Sequence, residues 1–155
     1  ASLNQEPICV FSMAWYASPA VAAGLGTLTK DELEAMPIIT YPFGSPPNQM
    51  LDRYFDRQES WLAHKSSANS LMTMMRLVAD GLGIAAMPPA TVLGPVAEGS
   101  LVRLETTDPL EPIPIVAVTP AGRDSPATDA IIAMAREVAA AFCAEAPPGL
   151  GWVPD

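Results

Sequence analysis

The residues best suited to binding chemistry lie at two predicted strand-to-helix junctions. In the first, YPFGSPPNQ, a strand ends, Gly44 lets the backbone come close to a neighbour, and Ser45 and Pro46 match the cap and first position of a helix. Free amide groups at a helix start, together with the positive end of the helix dipole, suit a carboxylate or another anion. We therefore predict a small-anion site here, to which Asn48 and Gln49 add short polar side chains.

The second junction, HKSSANSL, repeats this arrangement with Asn69 and Ser70. Predicted strands alternate with predicted helices along the chain, which favours α/β lobes with largely parallel strands. If the strands are parallel, both junctions open on the same edge of the sheet, where ligands bind in α/β folds. An ordinary capped helix without a ligand is the alternative explanation of either junction.

No residue pattern in the sequence indicates catalysis. His64 is the only histidine and is more simply a structural residue, the motif G-x-S-x-G is absent, and the acidic residues are scattered. Neither GLGTL nor DGLGIA completes G-x-G-x-x-G or a P-loop, so helix ends and turns explain them better. Cys9 and Cys143 lack the spacing of a disulfide scaffold or zinc site and are predicted to be free thiols. We therefore expect no enzyme activity, no catalytic residue, no metal ion and no cofactor.

The composition fits a soluble folded chain. Of 155 residues, 50% are hydrophobic and 16% charged, and the apolar runs are too broken for a membrane span. The formal net charge of −9 comes from 17 acidic against 8 basic residues and should repel phosphate backbones, so this chain should not itself bind DNA. The N-terminus has neither a signal-peptide pattern nor an initiator methionine. We expect a cytoplasmic protein of which this chain is a fragment.

The elements that must position the two junctions follow from caps and apolar periodicity. Thr29 and Glu32 form a capping-box pattern for a short helix, and Ser125 with Pro126 should begin a long one. Two further helices are predicted, one running through Met50, Leu51, Tyr54 and Phe55, and one through Leu71, Met74, Met75 and Val78 with Gly81 at its end. Strands are predicted at 8–17, 37–41, 61–65, 83–88, 101–105 and 113–120.

Four methionines cluster around the second junction: Met72, Met74, Met75 and Met87. A methionine-rich stripe can form a promiscuous binding groove, but core packing or a subunit contact is the commoner use. We expect core packing or a subunit contact here.

Five segments in order resemble the effector-binding domain of LysR-type transcriptional regulators. The stretch NSLMTMMRLVADGLGIAAMPPATV resembles that family's helix, LVAAGLGIALLP segment and turn, and LTKDELEAMPIITYPFGSPPNQ resembles its L-x-x-DL-x-x-x-PII-x-Y pattern with the following ligand loop. EPICVFSMAWYASPAVA is similar to the strand that crosses between lobes. GSLVRLETTDPLEPIPIVAVTP and SPATDAIIAMAREVA are similar to the return strands and the C-terminal helix. The resemblance extends over nearly all of residues 7–143.

The resemblance implies an α/β, periplasmic-binding-protein-like (type 2) effector-binding domain, with the second subdomain complete and the first partial. It implies segments at 1–17 (crossover strand from subdomain I), 18–99 (subdomain II), 100–145 (return strands and C-terminal helix of subdomain I) and 146–155 (flexible tail). A small organic effector, possibly a carboxylate, would bind in the cleft between the subdomains. The implied effector-contacting residues are Phe43, Gly44, Ser45, Pro47, Asn48, Gln49, Asn69, Ser70 and Leu71.

The same resemblance implies a regulator that assembles as a homodimer or higher homo-oligomer without a membrane partner. Family members begin with a helix-turn-helix domain and a first half of subdomain I, neither of which occurs in these 155 residues, so DNA would be bound only through that absent domain. An effector that prefers one arrangement of the lobes would then shift the regulator between two states. The alternative is a solute-binding protein of an uptake system, which shares the fold but would need a secretory signal.

Overall fold

The computed structural model describes residues 2–56, 65–122 and 125–154, which form two compact units. One unit comprises Ala1–Ser12 and Pro112–Asp155, and the other comprises Met13–Glu111. The segment boundaries predicted at 17/18 and 99/100 therefore both lie within the second unit. His64 and most of the strand predicted at 61–65 lie outside the described residues.

Strands and helices are interspersed along the described residues and alternate, as predicted, between residues 38 and 103. The strands are β1 (Leu3–Phe11), β2 (Ala14–Ala17), β3 (Ile38–Thr40), β4 (Lys65–Ser67), β5 (Ala85–Met87), β6 (Val102–Arg103), β7 (Ile113–Pro120) and β8 (Gly151–Trp152). The helices are α1 (Pro19–Ala22), α2 (Lys30–Glu34), α3 (Pro46–Tyr54), α4 (Leu71–Ala79), α5 (Leu93–Ala97) and α6 (Pro126–Glu145). Among these helices none combines the length and the apolar character that a membrane crossing needs.

The first unit is an antiparallel sheet in the order β7-β1-β8 with α6 packed against β1. Its small core consists of Ile8, Cys9 and Ile132, and Cys143 packs against this cluster as a free thiol. The C-terminal segment differs from the flexible tail expected from its proline and glycine content. Its residues 151–152 form β8, which pairs with the end of β1.

The second unit contains a three-stranded sheet in the order β5-β2-β6 and a two-stranded sheet of β3 and β4, and a single parallel bridge links the two. β3 pairs in parallel with β4 and, through a bridge from Ile38 to Ile84, with the start of β5. β2 is antiparallel to β5 and to β6. The prediction of largely parallel strands is therefore wrong for both units as a whole. It holds for β3, β4 and β5, where helical crossovers connect successive strands and permit parallel pairing.

Local signals placed the helix ends correctly. The capping box of α2 is present, with the Glu32 amide donating to the Thr29 hydroxyl and the Thr29 amide donating to the Glu32 carboxylate. Ser45 and Ser125 precede α3 and α6, each with proline at the first helical position. The cap of α4 is Ser70, whereas Ser66 and Ser67, earlier in the same junction, lie in β4 and pair with β3.

The methionine stripe is mainly core. Met74 and Met87 are buried in the main cluster of the second unit beside Ile39 and Val78, and Met75 packs partly against it. Met72 differs, because 72% of its side chain is exposed. Core packing therefore accounts for three of the four methionines.

The segment DGLGIA has a structural explanation at each glycine. Gly81 adopts a φ of 80° after α4, its amide donates to the Val78 carbonyl oxygen at 2.9 Å, and the Leu82 amide donates to the Leu77 oxygen at 3.1 Å. These two hydrogen bonds form a Schellman motif. The motif favours glycine at position 81 because the backbone there is left-handed. Gly83 then enters β5 so close to β3 that an added Cβ would lie 2.5 Å from the Pro37 carbonyl oxygen.

Gly83→Ala is expected to lower the free energy of unfolding by about 1–3 kcal/mol, because the added methyl group would push Ile84 away from the backbone of Pro37. Gly26→Ala is the matched control, since a Cβ there meets no atom within 4 Å and the backbone is not left-handed. Urea denaturation of the two variants measures the difference. Equal unfolding free energies would contradict the close approach of β5 to β3.

Candidate functional site

The two predicted junctions lie at the same edge of the sheet, because β3 and β4 are parallel neighbours. Thr40 is aligned with Ser67, and the Ala68 amide donates to the Thr40 carbonyl oxygen at 2.9 Å. β3 leads into the first junction and α3, and β4 leads into the second junction and α4. Both sets of predicted binding residues therefore follow the carboxyl ends of adjacent parallel strands, which is where α/β folds bind ligands.

Two side chains of the first junction form hydrogen bonds with the backbone of Gly44 and fix the loop. Gly44 has a φ of 78°, which favours glycine, and its amide donates to Asn48 Oδ1 at 3.2 Å. Gln49 Nε2 donates to the Gly44 carbonyl oxygen at 2.8 Å. Asn48 is buried, and its Nδ2 also donates to Thr40 Oγ1 at 3.4 Å. The amide groups of Asn48 and Gln49 thus position the loop, and they are already engaged within the protein.

The prediction of free amides at the start of α3 is wrong. Pro46 and Pro47 occupy the first two helical positions and have no N–H to donate. The Asn48 amide donates to Ser45 Oγ at 3.4 Å, and the Ser45 amide donates to the Pro42 carbonyl oxygen at 3.1 Å. An anion at this helix start would find no unused backbone donor.

The second junction retains the donors that the first lacks. Ser70 caps α4, and its hydroxyl accepts a hydrogen bond from the Thr73 amide at 3.4 Å. The amides of Leu71 and Met72 have no acceptor among the described residues, as expected for the first turn of a helix. The Asn69 side chain is exposed beside them. The side chain of Leu71, which was predicted to contact the ligand, packs at least partly against the core cluster.

An aromatic side chain stands next to this edge of the sheet. Phe43 is 63% exposed, and the ammonium of Lys65 lies 5.1 Å from the centre of its ring. Lys65 Nζ also pairs with Asp52 Oδ1 at 2.9 Å, and the Lys65 side chain is only 4% exposed. This buried lysine therefore ties the Phe43 loop to α3 and to the beginning of β4.

No pattern in the sequence indicates that Lys65 and Asp52 form an ion pair. They are 13 residues apart, and no local pattern links residues at that separation. Only the parallel pairing of β4 with β3, which brings Lys65 opposite Ile38 and beneath α3, makes the ion pair possible. Tyr41 was missed for a similar reason. Its hydroxyl is buried without a partner in the described structure, and burial raises the pKa of Tyr41 well above the ordinary value.

The described residues at this edge include no cluster of metal-ligating side chains. Within the ranges that the structure describes, no group of three or more His, Cys, Asp or Glu side chains could hold a metal ion. What the site offers is an exposed aromatic ring, a rigid glycine loop and the open first turn of α4. These features suit the binding of a small molecule.

The family model described as LysR substrate binding domain matches residues 1–140. The chain belongs to this family. Solved structures of regulators in the same family share its fold. A cysteine-to-serine variant of the MetR regulatory domain from N. meningitidis has a TM-score of 0.71 and 22% identity, covering 99% of this chain and 70% of that one.

Two ligand-bound LysR relatives share the fold at lower identity. The CcmR regulatory domain from Synechocystis PCC6803, in complex with 2-PG, has a TM-score of 0.69 and 19% identity, over 89% of this chain and 67% of that one. The effector-binding domain of QuiR with shikimate has a TM-score of 0.67 and 16% identity, over 88% and 65%. No curated protein matches the chain. The LysR domain thus has the α/β periplasmic-binding-protein-like type 2 fold, and the matched structures are regulator domains rather than enzymes.

Lys65→Met is expected to lower the free energy of unfolding by about 2 kcal/mol, because it removes the largely buried ammonium that pairs with the Asp52 carboxylate of α3. This is less than the cost for a fully buried pair, since the Asp52 side chain is 25% exposed. Arg76→Met is the control. Its partner Asp80 is four residues along the same helix, and the two side chains are 78% and 47% exposed, so the loss should stay below about 0.5 kcal/mol. Similar losses in the two variants, measured by chemical denaturation, would contradict a structural role for Lys65.

Proposed function

We propose that this chain is the effector-binding part of a LysR-type transcriptional regulator and that it binds a small organic carboxylate at the start of α4. The observation that carries the proposal is the pair of unused amides at Leu71 and Met72, at the edge formed by two parallel strands. A helix start with open N–H groups binds anions through those donors and through the helix dipole. The exposed ring of Phe43 supplies an apolar contact for the rest of the ligand.

The anionic character of the ligand follows from local donors and not from overall charge. The net charge of −9 disfavours the approach of any anion, so binding needs several donors at one point. Leu71 and Met72 offer backbone N–H groups, and Asn69 can donate from its side-chain amide. Of the residues in the implied effector set, Phe43 and Asn69 to Leu71 are then the direct contacts. Gly44, Ser45, Pro47, Asn48 and Gln49 shape the loop that faces them.

The regulatory role rests on the family and on the ligands of its relatives. CcmR and QuiR, which share the fold, are seen with 2-PG and with shikimate. A ligand that binds one conformation of the effector domain more tightly shifts the population toward that conformation. DNA would be contacted by another domain of the cytoplasmic regulator, since the acidic chain itself repels phosphates.

The amide contact can be tested with a substitution that removes one N–H and keeps the helix. Leu71→Pro is compatible with the first helical position, and Ser70 already has the extended conformation, with φ −135° and ψ 128°, that precedes proline. Leu71→Ala is the matched control, because it loses the side chain but keeps the amide. We expect at least one carboxylate among shikimate, 2-PG, succinate and acetate to stabilise the Ala variant against heat. The Pro variant should be stabilised less by the same carboxylate. Its Kd should be about tenfold higher, because one charge-assisted hydrogen bond is lost.

Equal binding by Leu71→Pro and Leu71→Ala would exclude the α4 amides as the anion site. Asn69→Ala, compared with Asn4→Ala on the exposed part of β1, tests the neighbouring side chain in the same assay. Calorimetric titration of each variant gives the Kd values. Absence of binding by every carboxylate tested would contradict the proposed effector class.

We also propose that the regulator forms a homodimer through the outer face of α6. Four apolar side chains recur there at helical spacing and remain largely exposed: Ile131 at 66%, Met134 at 63%, Val138 at 70% and Phe142 at 36%. Such a contiguous apolar stripe is typical of a protein contact. A second copy of the same helix can cover it, since each copy presents the same face.

Val138→Lys is expected to shift the chain toward monomer, because burying a lysine in this apolar stripe costs more than the contact gains. Ala133→Lys adds the same charge on a different side of α6 and should leave the association unchanged. Sedimentation equilibrium over a range of protein concentrations measures both. Identical sedimentation curves for Val138→Lys and Ala133→Lys would show that the apolar stripe contributes nothing to self-association.

A further inference from the structure

A cavity in the unit Met13–Glu111 lies at the end of α3 opposite to the first junction. Its volume is about 200 Å³, and its walls come from α2, from the last turn of α3 and from the segment before β7. The lining residues are Lys30, Met50, Arg53, Tyr54, Pro109 and Glu111. None of them belongs to the two junctions described above, and α3 separates the sites by roughly 13 Å, at about 1.5 Å per helical residue.

Two cations meet at this cavity. The ammonium of Lys30 lies over the ring of Tyr54, 4.9 Å from its centre, and no ion pair joins Lys30 to any carboxylate in the described part of the chain. Arg53 pairs with Glu111 at 2.9 Å, but these side chains are 52% and 64% exposed. A pair so open to water contributes little, and a competing anion can displace it.

The remaining wall is apolar and fixed. Tyr54 donates its hydroxyl hydrogen to the Asp108 carbonyl oxygen at 3.0 Å, and its ring packs against Trp15 with centroids 6.2 Å apart. These contacts hold the ring in place as one side of the cavity. Met50 and Pro109 complete the apolar surface. The cavity therefore combines a positive end with a hydrophobic wall.

We infer that this cavity binds a small organic carboxylate with a short apolar body. The carboxylate would accept the paired N–H groups of Arg53 in place of Glu111, and its second contact would be the ammonium of Lys30. The apolar body would lie against Tyr54, Met50 and Pro109. A cavity of about 200 Å³ has room for a small carboxylate such as butyrate. The inference is independent of the proposed effector site.

Titration of the isotope-labelled chain with butyrate, followed by amide chemical shifts, locates the binding. We expect saturable shifts at Lys30, Arg53, Tyr54 and Glu111. Two comparison probes separate the contributions: n-butanol has the apolar body without the charge, and inorganic phosphate has the charge without the body. Both should bind more weakly than butyrate at this cavity. Phosphate binding as tightly as butyrate would overturn the assignment to an organic carboxylate.

Three substitutions distinguish a binding role from a structural one. Lys30→Gln and Arg53→Gln should each weaken butyrate binding by about tenfold, the loss of one charge-assisted hydrogen bond. Glu111→Gln should strengthen it, by up to about fivefold, because Arg53 is released from a competing carboxylate. If the Arg53–Glu111 pair merely held the fold, Glu111→Gln would weaken binding instead. Arg76→Gln, on the exposed face of α4, is the control and should not change the Kd.

Butyrate shifts confined to residues 43–49 and 69–71 would overturn this inference while supporting the effector site. Shifts at the α3 cavity alone would support this inference whatever the outcome at α4. Weaker binding by Glu111→Gln, or unchanged binding by both Lys30→Gln and Arg53→Gln, would also overturn it. The far-ultraviolet circular dichroism of each variant establishes that the fold is retained.

Discussion

The parallel position of β3, between β4 and the start of β5, is the constraint on which the site depends. Two backbone hydrogen bonds hold the β5 side: the Ile39 amide donates to the Ile84 oxygen at 2.8 Å, and the Ile84 amide donates to the Pro37 oxygen at 2.9 Å. Because Gly83 has no Cβ, the backbone can reach this distance. With β3 fixed, β4 pairs in register on its other side, and the helix starts that follow both strands meet at one edge. The close approach at Gly83 therefore helps to fix the position of the loop at residues 43–49, which follows β3.

The two junctions at this edge differ in what they can do. Pro46 and Pro47 give the first junction a rigid helix start at the cost of two amide donors, and Asn48 and Gln49 fix the remaining backbone around Gly44. The second junction has no proline and leaves its first-turn amides open. The first junction is thus a preorganised surface, whereas the second junction offers free backbone N–H donors. A binding site built from both pays little conformational entropy on one side while it keeps polar groups available on the other.

Local features were readable from the sequence, and features that depend on distant pairing were not. The Thr29–Glu32 capping box, the Ser45 cap and the glycine end of α4 were predicted correctly, because each depends on residues within one turn. Strand direction was only partly predicted, since β2 runs against its neighbours for reasons of topology that no local pattern encodes. The missing amides of α3 are a different kind of error. Pro46 and Pro47 are visible in the sequence, and because proline has no N–H, each removes a donor that the capping pattern by itself implies.

An acidic chain can hold an anion only where local donors outweigh the overall charge, and the two proposed sites would do so in physically different ways. At α4 the donors would be backbone amides, which do not titrate and which have no acceptor among the described residues. At the far end of α3 the donors are Lys30 and Arg53, and the second of these is shared with Glu111. Binding at the proposed α4 site would therefore be governed by the shape of the loop, whereas binding at the α3 cavity would be a competition between an external carboxylate and an internal one. Salt should weaken the second site more than the first, because mobile ions screen separated, half-exposed charges more effectively than they screen a direct contact with a helix start.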